Sequence, residues 1–178
     1  MWRDEVDRVL RDDYLGDLGA RPIEEVRAMR DECRDVEDKV SYLRRLIQGR
    51  LDIVVAELRR RAAGGSPGDL GDLVDRLPQI LSDKVHAGGT GRLPSGLVAP
   101  DDDDLTADLD RVAGAGVLDR LPDLSDDAAA ALARDVEELE RQVSEARKGL
   151  FGRIDALNGE LARRYATGEA DPGRLLGG

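Results

Sequence analysis

The sequence predicts an all-α protein: a long antiparallel two-helix coiled-coil hairpin, with a short N-terminal helix and a partly helical, loop-rich connector. Three observations predict it. Two long stretches, one in each half of the chain, place apolar residues at mostly alternating steps of three and four, the seam of a coiled coil. Charged residues make up 37% of the 178 residues. With one phenylalanine and one tryptophan, the core must be thin and built from Leu, Val, Ile and Ala.

Residues 1–21 form a short N-terminal helix and a turn. Trp2, Val6, Val9 and Leu10 recur at helical spacing within residues 2–14, and the stretch Leu15–Ala20, with Gly16 and Gly19, breaks the pattern. Residues 22–63 form the first long helix. Pro22 suits a first helical turn, where a missing N–H costs little. The seam is Val26, Met29, Cys33, Val36, Val40, Leu43, Ile47, Leu51, Val54 and Leu58. Two successive steps of four, Leu43 to Ile47 to Leu51, mark a local stutter. Arg59, Arg60 and Arg61 suit the negative end of the helix dipole, and Gly64 and Gly65 end it.

Residues 64–124 form the connector. Leu70, Leu73, Val74, Leu77, Ile80 and Leu81 outline a short amphipathic helix interrupted by Pro78, and residues 105–112 outline a second. Residues 86–103 read as a loop. The string DRLP occurs at Asp75–Pro78 and Asp119–Pro122 and reads as two similar helix ends. Residues 125–167 form the second long helix, with Ser125 as N-cap and Asp126 and Asp127 in the first turn. Its seam is Val136, Leu139, Val143, Ala146, Leu150, Ile154, Leu157 and Leu161. Residues 168–178 read as a frayed tail.

A polar stripe appears twice. Glu37, Ser41, Arg44, Gln48 and Asp52 follow the spacing E-x3-S-x2-R-x3-Q-x3-D. Glu140, Ser144, Arg147 and Asp155 repeat it, with Phe151 in the glutamine position. Steps of three and four keep these side chains on one helix face. Aligning Glu37 with Glu140 also pairs Val40 with Val143, Gly49 with Gly152, Arg50 with Arg153, Glu57 with Glu160, and Leu58 with Leu161. Duplication of one helix explains the match. Each stripe residue follows a seam residue by one position, a turn of about 100°, so the stripe flanks the buried seam. In an antiparallel pair, a pseudo-twofold axis would bring both stripes onto one face about 22 Å long.

The chemistry of that face suits a guanine nucleotide. Arginine donates two hydrogen bonds to guanine O6 and N7, stacks on a base, or pairs with phosphate. Aspartate accepts from N1–H and N2–H2 of guanine, and serine and glutamine supply neutral donors. Gly49 and Gly152 each cost their helix about 1 kcal/mol relative to alanine, and a side chain there would block a bound base.

At these residues the sequence resembles the RsiG anti-sigma factors of actinobacteria, whose signature is E-x3-S-x2-R-x3-Q-x3-D in two copies on an antiparallel helical pair. The first copy matches at five positions and the second at four, Phe151 being the departure. The resemblance implies an anti-sigma factor that binds cyclic di-GMP, as two molecules, on the coiled coil. It implies that the liganded form holds a flagellar-type sporulation sigma factor, WhiG, away from RNA polymerase. It implies as ligand-binding residues Glu37, Ser41, Arg44, Gln48, Asp52, Glu140, Ser144, Arg147, Phe151 and Asp155.

Charge agrees with a protein partner. A net charge of −11 argues against direct binding of nucleic acid, which needs clustered Lys and Arg, and suits a basic partner. No apolar run approaches the ~18–20 residues that span a bilayer, and no secretory signal opens the chain. With Cys33 as the sole cysteine, these features place the chain in the cytoplasm. Cys33 sits on the seam as an inert thiol, and His86 stands alone without a zinc-ligand cluster. The run Gly88–Gly91 lacks the strand and lysine of a phosphate loop, and Asp101–Asp104 reads as a solvated acidic run. Nothing assembles a catalytic triad, so the chain is not read as an enzyme. The rival reading is a coiled-coil scaffold or adaptor with no small-molecule ligand. Its stripes would be exposed ion pairs worth about 0.2–0.5 kcal/mol each.

Overall fold

A computed structural model describes residues 2–65 and 105–169, all of them helix, turn or short connection. The expectations for Leu70–Leu81, the first DRLP string, His86, residues 86–103, Asp101–Asp104 and residues 170–178 fall outside the described residues. The elements are α1 (Trp2–Leu10), a 3-10 turn (Leu18–Ala20), α2 (Ile23–Ala62), α3 (Ala107–Ala113), α4 (Ala115–Leu118), a second 3-10 turn (Leu121–Asp123) and α5 (Asp126–Ala166). The expected all-α fold, with its two long helices packed on each other, is what the chain adopts.

The ends of the long helices follow their local chemistry. Ser125 Oγ accepts from Ala128 N at 3.2 Å and caps α5. Gly64 takes φ +92, while Gly65 N donates to Arg60 O at 3.1 Å and Gly64 N to Arg61 O at 2.9 Å, the Schellman pattern that stops α2. Gly168, at φ +76, ends α5 in the same left-handed conformation. The expected N-terminal helix is shorter than residues 2–14. Asp12 and Asp13 would oppose the dipole at a helix C-terminus. The carbonyls of Leu10 and Arg11 instead accept from Arg153 Nη2, at 2.7 and 3.0 Å.

The chain divides into two compact units. The first comprises Met1–Ser41 and Glu145–Gly178, the second Tyr42–Ser144. In the first unit the start of α2 lies antiparallel to the end of α5: Arg27 reaches Tyr165, and Arg147 reaches Glu37. The core is Val26, Met29, Cys33, Val36 and Val40 against Leu150, Ile154, Leu157 and Leu161. Trp2, Val6 and Val9 of α1 are buried with them. A Cβ on Gly149 would lie 2.9 Å from Leu10 Cδ1, so this glycine admits α1. Burial pushes the Cys33 thiol up, as expected of an inert seam cysteine, and also raises the Tyr14 phenol, whose hydroxyl donates to Glu32 at 2.5 Å.

In the second unit the end of α2 lies antiparallel to the start of α5, as Arg44–Glu140 and Arg61–Asp126 show. Leu43, Ile47 and Val54 pack with Ala129, Leu132, Val136, Leu139 and Val143, and Leu105, Leu109 and Leu121 are buried too. Each fully buried leucine contributes about 2 kcal/mol of hydrophobic stabilisation. The seam departs from expectation here: Leu51 and Leu58 are only half-buried, whereas Glu57 is 1% exposed. Arg60 and Arg61 compensate its charge, at 2.8 and 2.7 Å. The hydrogen bond from Arg60 holds its carboxyl below the ordinary value, burial opposes this, and Arg61 adds to the lowering.

The two units share a set of equivalent hydrogen bonds at an offset of 103 residues. Arg153 Nη2 donates to Leu10 O at the end of α1, and its counterpart Arg50 Nη1 donates to Ala113 O at the end of α3. Arg164 donates to the carbonyls of Leu18, Gly19 and Arg21, and Arg61 to those of Leu121, Pro122 and Leu124. Glu160 binds Arg163 and Arg164 as Glu57 binds Arg60 and Arg61. The duplication therefore covers the short helix and the 3-10 turn as well as the long helix. Each unit joins the N-terminal part of one repeat to the C-terminal part of the other.

Candidate functional site

The stripe residues form two clusters, one per unit, and each cluster mixes the two motif copies. In the second unit Arg44 Nε donates to Glu140 Oε1 at 2.9 Å and to Ser144 Oγ at 2.8 Å. In the first unit Arg147 Nε donates to Glu37 Oε1 at 2.9 Å and to Ser41 Oγ at 2.7 Å. Each serine hydroxyl in turn donates to its own glutamate four residues earlier, Ser41 to Glu37 at 2.6 Å and Ser144 to Glu140 at 3.0 Å. The arginine of one copy is thus read by the glutamate and serine of the other.

Helix geometry explains the arrangement. The step of four from glutamate to serine stacks the two on adjacent turns, so they present one acceptor pair to the opposite helix. The stripe lies beside the seam, which keeps these groups half-buried instead of solvated. The side chains of Arg44 and Arg147 are 33% and 34% exposed. A partly exposed ion pair of this kind is worth little by itself. Its consequence is orientation: both arginines are held along their Nε edge. Among the described residues the Nη1 and Nη2 groups of both have no hydrogen-bond partner. Two donors on a guanidinium fixed in this way can address guanine O6 and N7, or a phosphate, in a bidentate fashion.

The fourth position of the stripe differs between the clusters. Gln48 Nε2 donates to Glu140 Oε1 at 3.3 Å, the same oxygen that anchors Arg44. Phe151 instead lies under Arg147, whose guanidinium carbon is 4.7 Å from the ring centroid. The structure therefore brings together Glu140, Ser144, Arg44 and Gln48, and separately Glu37, Ser41, Arg147 and Phe151. Asp52 is half-buried and Asp155 is exposed, each four residues beyond the glutamine or phenylalanine on its own helix. Among the described residues, a Cβ built on Gly49 or Gly152 meets nothing within 4 Å. Packing among the described residues therefore does not require either glycine.

Sequence reasoning placed the stripes on one face but did not foresee that the arginines cross between copies. The repeat pairs Arg50 with Arg153 and the dipole accounts for Arg61, but the sequence does not show that these arginines, with Arg164, fasten the short helices and turns. The signal was present: these pairs sit at the same offset as the motif itself.

No helix among the described residues is long and apolar enough to cross a membrane. The model of the RsiG-like family matches residues 12–81 and 115–177, one region in each repeat and together most of the chain. None of the curated proteins compared with the chain matches it. With both repeats covered, the chain belongs to the RsiG-like family, whose role is that of a regulatory anti-sigma factor and not an enzyme.

Proposed function

We propose that this anti-sigma factor is gated by cyclic di-GMP. Each arginine cluster takes one molecule of the dinucleotide. The liganded protein sequesters a flagellar-type sporulation sigma factor of the WhiG type from RNA polymerase. The observation that carries the reading is the crossed anchoring of Arg44 and Arg147, with the Nε edge fixed and the Nη donors without partners among the described residues. Guanine supplies the matching acceptors in O6 and N7, and Asp52 and Asp155 supply acceptors for its N1–H and N2–H2. Open space at Gly49 and Gly152 leaves room for a base to approach the backbone. Each ligand molecule brings two negative charges, and the guanidinium of its cluster offsets part of them. The net charge of −11 complements the basic surface that a sigma factor offers to DNA.

Titration of cyclic di-GMP into the full chain, with purified WhiG-type sigma factor present, tests the assignment. Arg44→Ala and Asp52→Ala each lower the affinity at least tenfold on this reading. Undiminished complex formation in both variants rejects it and favours a scaffold that needs no ligand.

A further inference from the structure

Two units that repeat each other's hydrogen bonds part company at one stripe position. Where Gln48 stands in one cluster, Phe151 stands in the other. The consequence for the arginine is direct. Arg44 is fixed by Glu140 and Ser144, and it shares its carboxylate oxygen with Gln48 Nε2 at 3.3 Å. Arg147 is fixed by Glu37 and Ser41 without a competing amide among the described residues, and it lies over the Phe151 ring, 4.7 Å from the centroid. Its guanidinium is therefore held in two ways, along its edge by hydrogen bonds and across its plane by the ring.

We propose that Phe151 is an affinity- and specificity-determining residue that makes the Arg147 cluster a stacking site for a guanine base and the tighter of the two ligand sites. The inference rests on the cyclic di-GMP reading above. A guanidinium is planar and stacks on aromatic faces. Phe151 fixes the plane of Arg147 before the ligand arrives, so less side-chain freedom is lost on binding. A base meeting that plane stacks on the guanidinium with the ring behind it, and one such stacking contact strengthens binding about tenfold. At the Arg44 cluster the amide of Gln48 offers hydrogen bonds but no stacking plane. It also draws on Glu140, the anchor that Arg44 needs.

The test is a calorimetric titration of cyclic di-GMP into the full chain with the sigma factor present. Wild type should show two classes of site about tenfold apart. Phe151→Gln, which makes the two copies alike, should merge them at the weaker affinity. Phe151→Leu should do the same while keeping an apolar side chain, and Phe151→Tyr should restore the separation. Thermal unfolding of each variant reports whether the fold is kept. In the ligand-free chain, the ring-current shift on the Arg147 Nε–H resonance should vanish in Phe151→Leu and persist in Phe151→Tyr. A single class of site in wild type, or Phe151→Leu binding like wild type, overturns the inference and leaves the function standing. Absence of binding in wild type overturns both.

Discussion

Arg147 Nε lies 2.7 Å from Ser41 Oγ, and the equivalent pair in the other motif copy, Arg44 and Ser144, is 2.8 Å apart. Residues a hundred or more positions apart thus make the same bond twice. Neither copy completes its arginine's anchor alone. A lesion in one copy is therefore felt at the arginine of the other, which gives a first prediction. Ser41→Ala should weaken ligand binding through Arg147, about fivefold for a lost hydrogen bond near 1 kcal/mol. In the double variant Ser41→Ala/Arg147→Ala the serine effect should disappear, whereas with Arg44→Ala it should persist and add. A double-mutant cycle on cyclic di-GMP affinity reads this coupling.

Replacing an arginine by lysine keeps the charge but removes the fork that reads two acceptors at once. Arg44→Lys and Arg147→Lys should therefore behave nearly as badly as the alanine variants, each losing about 1–3 kcal/mol of binding. If a point charge suffices, isothermal titration will show the lysine variants close to wild type, and recognition of a base edge is then ruled out.

Gly49 and Gly152 separate stability from function. A methyl group at either position meets open space among the described residues, so Gly49→Ala and Gly152→Ala should stabilise the fold by about 0.5–1 kcal/mol each. On the proposed function the same variants should bind cyclic di-GMP more weakly, because the methyl group occupies the approach of the base. Thermal unfolding with and without ligand measures both effects. Stabilised variants with unchanged ligand response would remove the glycines from the site.

Glu57 governs a pH dependence of stability. Its carboxyl lies below the ordinary value of 4.5 in the folded chain, owing first to the hydrogen bond from Arg60. A depressed folded value means that the stabilisation is complete above the unfolded pKa and is lost as pH falls through the folded one. Glu57→Gln should therefore cost about 2 kcal/mol at neutral pH, somewhat less than orphaning an isolated buried charge, since Arg61 keeps its carbonyl partners. The gap between wild type and variant should shrink as the pH drops below 4.5. Denaturant unfolding at a series of pH values would show a constant gap if the pair contributed nothing.

Much of this architecture is written in the spacing of particular residues. Val26 to Val54 and Val136 to Leu161 announce two amphipathic helices, because burial of one stripe dominates the stability of a long helix. Ser125, Gly64 and Gly168 mark helix ends for reasons local to each terminus. What escaped is non-local. That Glu57 is buried and Leu58 half-buried depends on Arg60 and Arg61 folding back over it, which a periodic pattern does not encode. The shorter α1 depends on Arg153 capping its carbonyls from a helix more than a hundred residues away. The stripe was visible as a list of residue types. Its crossing, arginine of one copy to glutamate and serine of the other, needed the antiparallel packing to be seen.

The central claim is that cyclic di-GMP, held by Arg44 and Arg147, decides whether the chain retains its sigma factor. The most direct measurement is capture of purified WhiG-type sigma factor on the immobilised full chain, with and without cyclic di-GMP. It is repeated with the Arg44→Ala/Arg147→Ala double variant. The account predicts retention by wild type only when ligand is present, and none by the double variant in either condition. Equal retention with and without ligand, or retention undiminished in the double variant, would contradict it.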